Sequence, residues 1–547
     1  MSVRRKKLGD NAQATQIDPA PFLLDAARTA WVSPYLSIRK KENSKIFKPS
    51  NSSLGMSSTR SSFTHVQEDS EVAFKIGGCA IPHETVPYFN PPPGCALSVP
   101  ASKAELVDGW LCDPKHPRNW TTSKKWCSAA IVSLYMFVSP LSSSIMAPGL
   151  SEIRARYGIE SQTVLSMTLS IFLLSFGIGP LILGPLSEMY GRKWVLHVGN
   201  LCSIIFHLGC AFAPSTEALL AFRFLAGFSG GAPSACGGAV ISDLFAERER
   251  ASAMAVYSLG PLIGPVVGPI AGGFIAETAG IKYVYFTLAG VTTLASLIGI
   301  PFLRETYAPL LKLRVMSLCP LDPEKVPRGA EGINPPCGKL HHLWINFSRP
   351  LMLLSHSFIC FILSLYMAFM YGIYYLFFTT LNGFFTATYG FSTGITGLMY
   401  CGLGAGFILA TTFGAKFSNA LYTGLAEKNG GVGEPEMRIP PIFIGSIFVP
   451  IGLFWYGWSA QAKIHWIMPV IGSGLFGFGM MTTFLPIQLY LVDAFKYAAS
   501  ALSAAFLFRS LLGFSFPLFG NEMFAALGFG GGNSLLGGLA TILGIPL

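Results

Sequence analysis

Apolar residues stand in long unbroken runs along this chain, without the alternation of a half-buried strand or the narrow stripe of a surface helix. Each run is about 20 residues long, enough to cross a hydrocarbon layer as a helix. Short polar links separate one run from the next. The pattern predicts spans at residues 126–147, 163–186, 194–213, 217–242, 251–276 and 284–303, then at 355–381, 392–415, 440–458, 464–490, 498–520 and 533–547. Two groups of six result. Between them lies a polar link, 304–350, holding Pro320, Pro323, Pro327, Pro335 and Pro336. Residues 1–125 lack apolar periodicity and are rich in Ser, Pro and Lys, which predicts a disordered tail. The final run, NSLLGGLATILGIPL from Asn533, is short of a full crossing. Either that helix stops inside the membrane or the sequence is cut short.

Composition agrees with the pattern. The 547 residues are 51% hydrophobic and 12% charged, against about 25% charged in ordinary soluble domains. An all-α polytopic membrane protein is expected, not a soluble enzyme. The net charge of +10 changes meaning once it is placed. Arg192, Lys193, Arg248, Arg250, Lys416, Lys428, Arg438 and Lys496 fall in one set of short loops, and Arg154, Arg156, Lys282 and Lys463 in the other. The positive-inside rule then puts the first set, and the N-terminus, in the cytosol. The basic balance is topology, not a nucleic-acid footprint. The basic start MSVRRKKLGD runs into polar NAQATQID, so it is no secretory signal. The eleven cysteines have no metal spacing and read as reduced thiols. No GxxxxGK[ST] loop is present to hold ATP, and no nucleophile–base pairing or zinc spacing stands out. Neither a cofactor nor a resident metal is expected.

Four segments carry candidate chemistry. In GPLIGPVVGPIAGG, glycines 260, 264, 268 and 272 share one helix face, with Pro261, Pro265 and Pro269 between them. Gly260, Gly264, Gly268 and Gly272 allow close backbone approach. Each proline removes an amide hydrogen and frees a carbonyl. A bent, tightly packed fifth helix follows, either as part of a transport device or as a packing helix alone. In GPLSEMYGRK, Gly184 opens the stretch and Gly191 permits a tight turn. Arg192 and Lys193 anchor the inner face, and Glu188 places a carboxylate at a membrane boundary for a helix N-terminus or an arginine to pair with, though GRK also suits a plain positive-inside loop. In RFLAGFSGGAPSACGGAVISD, Arg223 is intramembrane and Gly227 follows one turn on; Asp243 closes the helix. Such an arginine lines a pathway or snorkels to the surface. In the seventh span, Tyr371, Tyr374 and Phe378 share a face that offers cation–π contacts or simply packs on a neighbour. Gln488 lies at the inner end of the tenth span. His197 and His207 read as packing histidines, and no Asp or Glu lies deep in a span.

Taken in order, these segments resemble the major facilitator superfamily, and specifically its drug:proton antiporters with twelve spans. DPKHPRNWTTSKKW, LRETYAP, LSLYMAFMYGIYYLFFTT and YLVDAFKYAAS are similar to the fungal polyamine and multidrug exporter branch. The resemblance implies two six-helix bundles related by a pseudo-two-fold axis around a midplane cavity that opens to each side in turn. It further implies that Glu188 and Arg192 latch one state, that Arg223 serves proton coupling, and that the Gly/Pro helix seals or bends the barrier.

The expectation is therefore a secondary active transporter. It would export small amphipathic or cationic compounds (drugs, toxins, polyamines) against a proton flux, as a monomer in the plasma or vacuolar membrane. The alternatives are a uniporter or nutrient importer of the same superfamily, and a non-transporting sensor of the same fold.

Overall fold

The computed structural model describes residues 113–544, except 246, 319–338, 432 and 496–497. The expected tail up to residue 112 and the proline-bearing centre of the link lie outside the described residues. All regular structure among the described residues is helical.

The first bundle comprises α1 (Thr122–Ser144), α2 (Leu150–Tyr157), α3 (Gln162–Tyr190), α4 (Arg192–Ala211), α5 (Thr216–Gly230), α6 (Ala232–Leu244), α7 (Glu247–Ala279) and α8 (Ile281–Phe302). The link holds α9 (Ala308–Leu318) and α10 (Lys339–His356). The second bundle comprises α11 (Phe358–Tyr389), α12 (Thr393–Leu398), α13 (Cys401–Leu409), α14 (Ala415–Lys428), α15 (Pro440–Gln461), α16 (Ile467–Ala494) and α17 (Ala498–Gly544). We refer to the end where α1 begins as the near face and the opposite end as the far face.

Eleven helical stretches are long and apolar enough to cross a membrane, and the last of them, Ser500–Gly544, is 45 residues long. Its backbone breaks at Gly528, where φ is 70° and ψ is 170°, a conformation that only glycine adopts without strain. Before the break, Phe508 and Phe516 pair with Phe361 and Phe369, so the first arm runs alongside α11 in the same direction. After it, Gly530 N donates to Gln461 (2.6 Å) and Ser534 meets Trp458, while Gly544 approaches Ser446. The second arm thus runs antiparallel to α15. The apolar pattern predicts a loop over 521–532, but helix fills that interval because a single left-handed glycine suffices to turn the chain back.

Other boundaries move as well, and the seventh span runs past 381 to Tyr389. The eighth span does not end at 415; it continues through a π-helical stretch, Ala410–Gly414, and α14 to Lys428. Polar Lys416, Ser418 and Asn419 end the apolar run, but they do not end the helix. Gly430 and Gly431, both at positive φ, follow its end. The link is not uniformly irregular either, since α9 and α10 occupy its ends.

The pairing of helices in the first bundle recurs in the second. α1 packs on α7 as α11 packs on α17, α3 on α5 as α13 on α16, and α4 on α5 as α15 on α16. The bundles meet along α3 with α17 and along α7 with α12. Away from these seams, Trp194, Val198, Leu201 and Ile205 of α4 are exposed, as are Ile447, Ile451, Phe454 and Trp458 of α15. Apolar faces of that extent suit lipid, not water.

Candidate functional site

On the near face, Gly191 joins α3 to α4 at φ 101°, ψ 149°. The first amides of α4 have no in-helix acceptor, and glycine has no side chain to cap them. Glu305 caps them from across the fold. Its Oε1 accepts from Arg192 N (2.9 Å), Thr306 N (3.0 Å) and Tyr307 N (3.0 Å), and its Oε2 from Lys193 N (3.2 Å). A Cβ on Gly191 would run into that carboxylate. The Arg192 side chain donates to Ser187 Oγ (2.6 Å) and lies 5.1 Å over the Tyr307 ring. Its Nε is 3.5 Å from Asp243 Oδ2, and its Nη2 is 4.0 Å from Glu188 Oε1. Side-chain exposure is 22% for Asp243 and 46% for Glu188. Asp243 is therefore the stronger partner, and water screens the Glu188 pair. Gly184 contributes through its carbonyl, which accepts from Ser187 Oγ, and a Cβ there would meet nothing within 4 Å.

Glu305 does not emerge from periodicity; its signal is a lone acid directly after the sixth apolar run, in LRETYAP. Glu305→Gln would turn one acceptor into a donor facing amide hydrogens. Hydrogen bonds to charged groups are worth about 1.5–3 kcal/mol each, so a clear fall in the melting temperature of the detergent-solubilised protein is expected. An unchanged melting temperature would show that the cap contributes nothing.

The second bundle repeats this arrangement. Arg438, just before α15, donates from Nε to Asp493 Oδ2 at 3.2 Å and lies 3.9 Å over Tyr422. Asp243 and Asp493 each close the fourth span of their bundle in an Asp-x-Phe sequence, and Phe245 and Phe495 are the extended C-caps of α6 and α16. Beside Glu305, a cleft of about 490 Å³ is lined by Lys115, Lys124, Lys193 and Arg304 among others.

Deeper in the first bundle, Arg223 is completely buried. Its Nη1 donates to Ser142 O (3.0 Å), Nε to Thr168 O (3.2 Å) and Nη2 to Leu169 O (3.3 Å), and Phe172 stacks 4.9 Å from Cζ. It does not snorkel. No carboxylate among the described residues lies within ion-pair distance of it. Ser142 is one of the last four residues of α1, whose carbonyls lack in-helix partners and form the negative end of the helix dipole. The same serine bonds through Oγ to His207 Nε2 at 2.6 Å. Gly227, one turn beyond Arg223, lets α5 lie against α3, because a Cβ there would strike Phe172 O.

The four glycines of α7 form a ladder on α1. A Cβ on Gly260 would stand 2.8 Å from Phe137 N, and on Gly264 3.0 Å from Leu141 N. On Gly268 it would stand 3.1 Å from Ile145 N, and on Gly272 it would overlap Ile145 O. Pro261, Pro265 and Pro269 lie inside the helix. Another side of α7 faces the second bundle: Gly397 packs on the Pro269 carbonyl and Gly404 on Val266.

In the far half the bundles are hydrogen-bonded to each other. Asn382 Nδ2 donates to Pro148 O (2.7 Å), Gly394 N to Glu277 Oε2 (2.6 Å), Thr163 Oγ1 to Glu522 Oε1 (3.2 Å) and Asn521 Nδ2 to Ser166 Oγ (3.2 Å). Nearer mid-depth, Tyr375 and Ser143 share a bond of 2.8 Å.

The aromatic stripe on α11 divides. Tyr374 and Phe378 are buried against α13 and its approach, with Tyr374 5.4 Å from Phe407 and Phe378 stacked 5.1 Å from Tyr400. They are core. Tyr371 is half-buried, and the cation on its face is Arg509 of α17, at 5.0 Å. Phe484 of α16 stacks on Tyr371 at 6.3 Å, and Gln488 lies one helical turn beyond Phe484.

Comparison with known proteins places this geometry in a family. Residues 132–517 match the family model described as Major Facilitator Superfamily. The MFS transporter cpaT of Aspergillus oryzae is 42% identical over 463 residues, covering 83% of this chain and 92% of its own. The efflux pump vrtL of Penicillium aethiopicum is 41% identical, covering 79% of this chain and 86% of its own. Among solved structures, a partially occluded inward open conformation of the xylose transporter XylE from E. coli aligns with a TM-score of 0.58. It is 14% identical and covers 78% of this chain and 97% of that one.

Proposed function

Because the chain belongs to the Major Facilitator Superfamily, whose members are membrane transporters and not enzymes, we propose that it exports small amphipathic compounds by alternating access, coupled to protons. The observation that carries coupling is the buried cluster of Arg223, Ser142 and His207. Arg223 cannot give up its own proton in a protein, so it acts as a fixed charge. His207, one hydrogen bond from the serine that Arg223 holds, keeps that serine in place beside the fixed charge. The far half is where α1, α3 and α7 would part from the second bundle as the cavity turns round. Gly273 of α7 against the Thr393 carbonyl and Glu277 against Gly394 form part of that seal. In this reading the near face, with its basic cleft and its Lys/Arg-bearing loops, is cytosolic. The membrane is the plasma membrane, the unit is a monomer, and the proton is the only coupling species. Names given to relatives, efflux pumps among them, support the direction.

The test is flux into proteoliposomes holding the purified full chain under an imposed pH gradient, with a panel of polyamines, azoles and aromatic secondary metabolites. Movement that follows the gradient and reverses with it is expected. Movement indifferent to the gradient would make the protein a uniporter or importer, and none at all would leave a sensor of transporter fold.

A further inference from the structure

Among the described residues, Arg509 is the one deep charge that the scheme above does not use. It lies 11 residues into α17, about 17 Å along the helix from its near end. Its guanidinium is 5.0 Å from the Tyr371 ring and 4.4 Å from that of Phe506. Nε is buried with no hydrogen-bond partner. No carboxylate among the described residues is within ion-pair distance of it. Glu188, Asp243, Glu305 and Asp493 belong to the near face, whereas Glu152, Glu277 and Glu522 belong to the far face.

The surroundings place Arg509 between the bundles. Phe506, one turn earlier, rests on Phe176 of α3 at 5.3 Å. Ser510, the next residue, lies against Gly177 of α3. Tyr371 is 5.0 Å from Tyr375, which bonds Ser143 of α1. A half-buried cation with an unused donor, flanked by two rings where helices of both bundles converge, is built to receive an anion. It also repels the organic cations that the aromatic stripe alone would admit.

We propose that Arg509 selects the cargo by charge. The exported compound carries an anionic group, such as a carboxylate, sulfonate or acidic enol, on an apolar or aromatic skeleton that stacks on Tyr371. This rests on the transport reading above and narrows it.

Permanently charged probes separate the two claims. Proteoliposomes of the full chain would be loaded with aromatic sulfonates of one, two and three rings, and in parallel with the matching trimethylammonium compounds. Wild-type protein is expected to release the sulfonates about tenfold faster, the effect of one charge-assisted hydrogen bond. Arg509→Gln should bring the two rates together, while Arg509→Lys keeps part of the preference; rates are normalised to folded protein by size exclusion. Equal or faster release of the ammonium probes by the wild type would overturn the inference and leave transport standing, and so would a preference unchanged in Arg509→Gln. Release of neither class above empty liposomes would remove the transport reading and this inference with it.

Discussion

Arg223→Gln is expected to stop transport while leaving nearly as much folded protein as the wild type. Two opposed terms set the stability change. An intramembrane guanidinium costs at least ~2.5–3.5 kcal/mol on insertion scales, and that cost disappears with the charge. Charge-assisted hydrogen bonds return about 1.5–3 kcal/mol each, and Arg223 makes three. Two of its acceptors, Thr168 O and Leu169 O, lie inside α3, where ordinary helix bonding continues without it. Only Ser142 O, near the end of α1, is left unsatisfied. The terms therefore offset to within about 1–2 kcal/mol. Transport has no such compensation. The guanidinium is the group that holds α1, α3 and α5 to one point and keeps Ser142 against His207. A fall on the order of 100-fold in gradient-driven flux, about 2.7 kcal/mol of barrier, is expected, with a size-exclusion profile like the wild type. Arg223→Lys should be intermediate, because a point charge on a shorter stem cannot reach all three carbonyls. Unchanged flux in the glutamine variant would remove Arg223 from the mechanism. Flux lost only in proportion to folded protein would reduce it to a structural residue.

What could be read from the chain was what depends on near neighbours. The glycine ladder of α7 declared a shared face by its four-residue spacing, and Gly191 declared a turn. The apolar runs located most helices to within a few residues, but α11 runs past 381 to Tyr389, polar residues prolong the eighth span to Lys428, and helix fills the expected loop over 521–532. Contacts across the fold were not legible. Glu305 is 113 positions from the amide it caps, and nothing local in LRETYAP says where its carboxylate goes. Arg438 and Asp493 are 55 apart. They could have been paired only by noticing that Asp-x-Phe ends the fourth span of both bundles. Periodicity put Tyr371, Tyr374 and Phe378 on one face and stopped there. Which of them stayed accessible depended on Tyr400 and Phe407 arriving from the next helices. Arg509 falls inside the predicted span 498–520, but its place over Tyr371 depends on the register between α17 and α11. The gap between the last two apolar runs implied a loop over 521–532, but only Gly528 in that interval takes positive φ, and the other residues there continue as helix.

Gly272→Ala is the second large effect expected, and its sign is decided by competition between helix propensity and contact. Alanine is favoured over glycine in a helix interior by about 1 kcal/mol, so a glycine facing open space should gain from the change. Gly290 of α8 is such a position, with nothing within 4 Å of an added Cβ. At Gly272 the added carbon would overlap Ile145 O. That atom is backbone, so no rotamer can clear it; either α1 or α7 must move. Overpacking of this kind costs about 1–3 kcal/mol and sometimes more, which outweighs the propensity gain. The displacement also falls just past the end of α1, three residues from the Ser142 carbonyl that holds Arg223, so flux should fall further than stability alone would dictate. Gly260→Ala, with 2.8 Å to Phe137 N, should lie between. Melting temperatures of the three purified variants are expected to rank Gly290→Ala at or above wild type, then Gly260→Ala, then Gly272→Ala lowest. If Gly272→Ala melts at or above the wild type and transports normally, then α1 and α7 are not held in register by the ladder. The prolines between its rungs would then have to supply the bend without a packed seam to hold it.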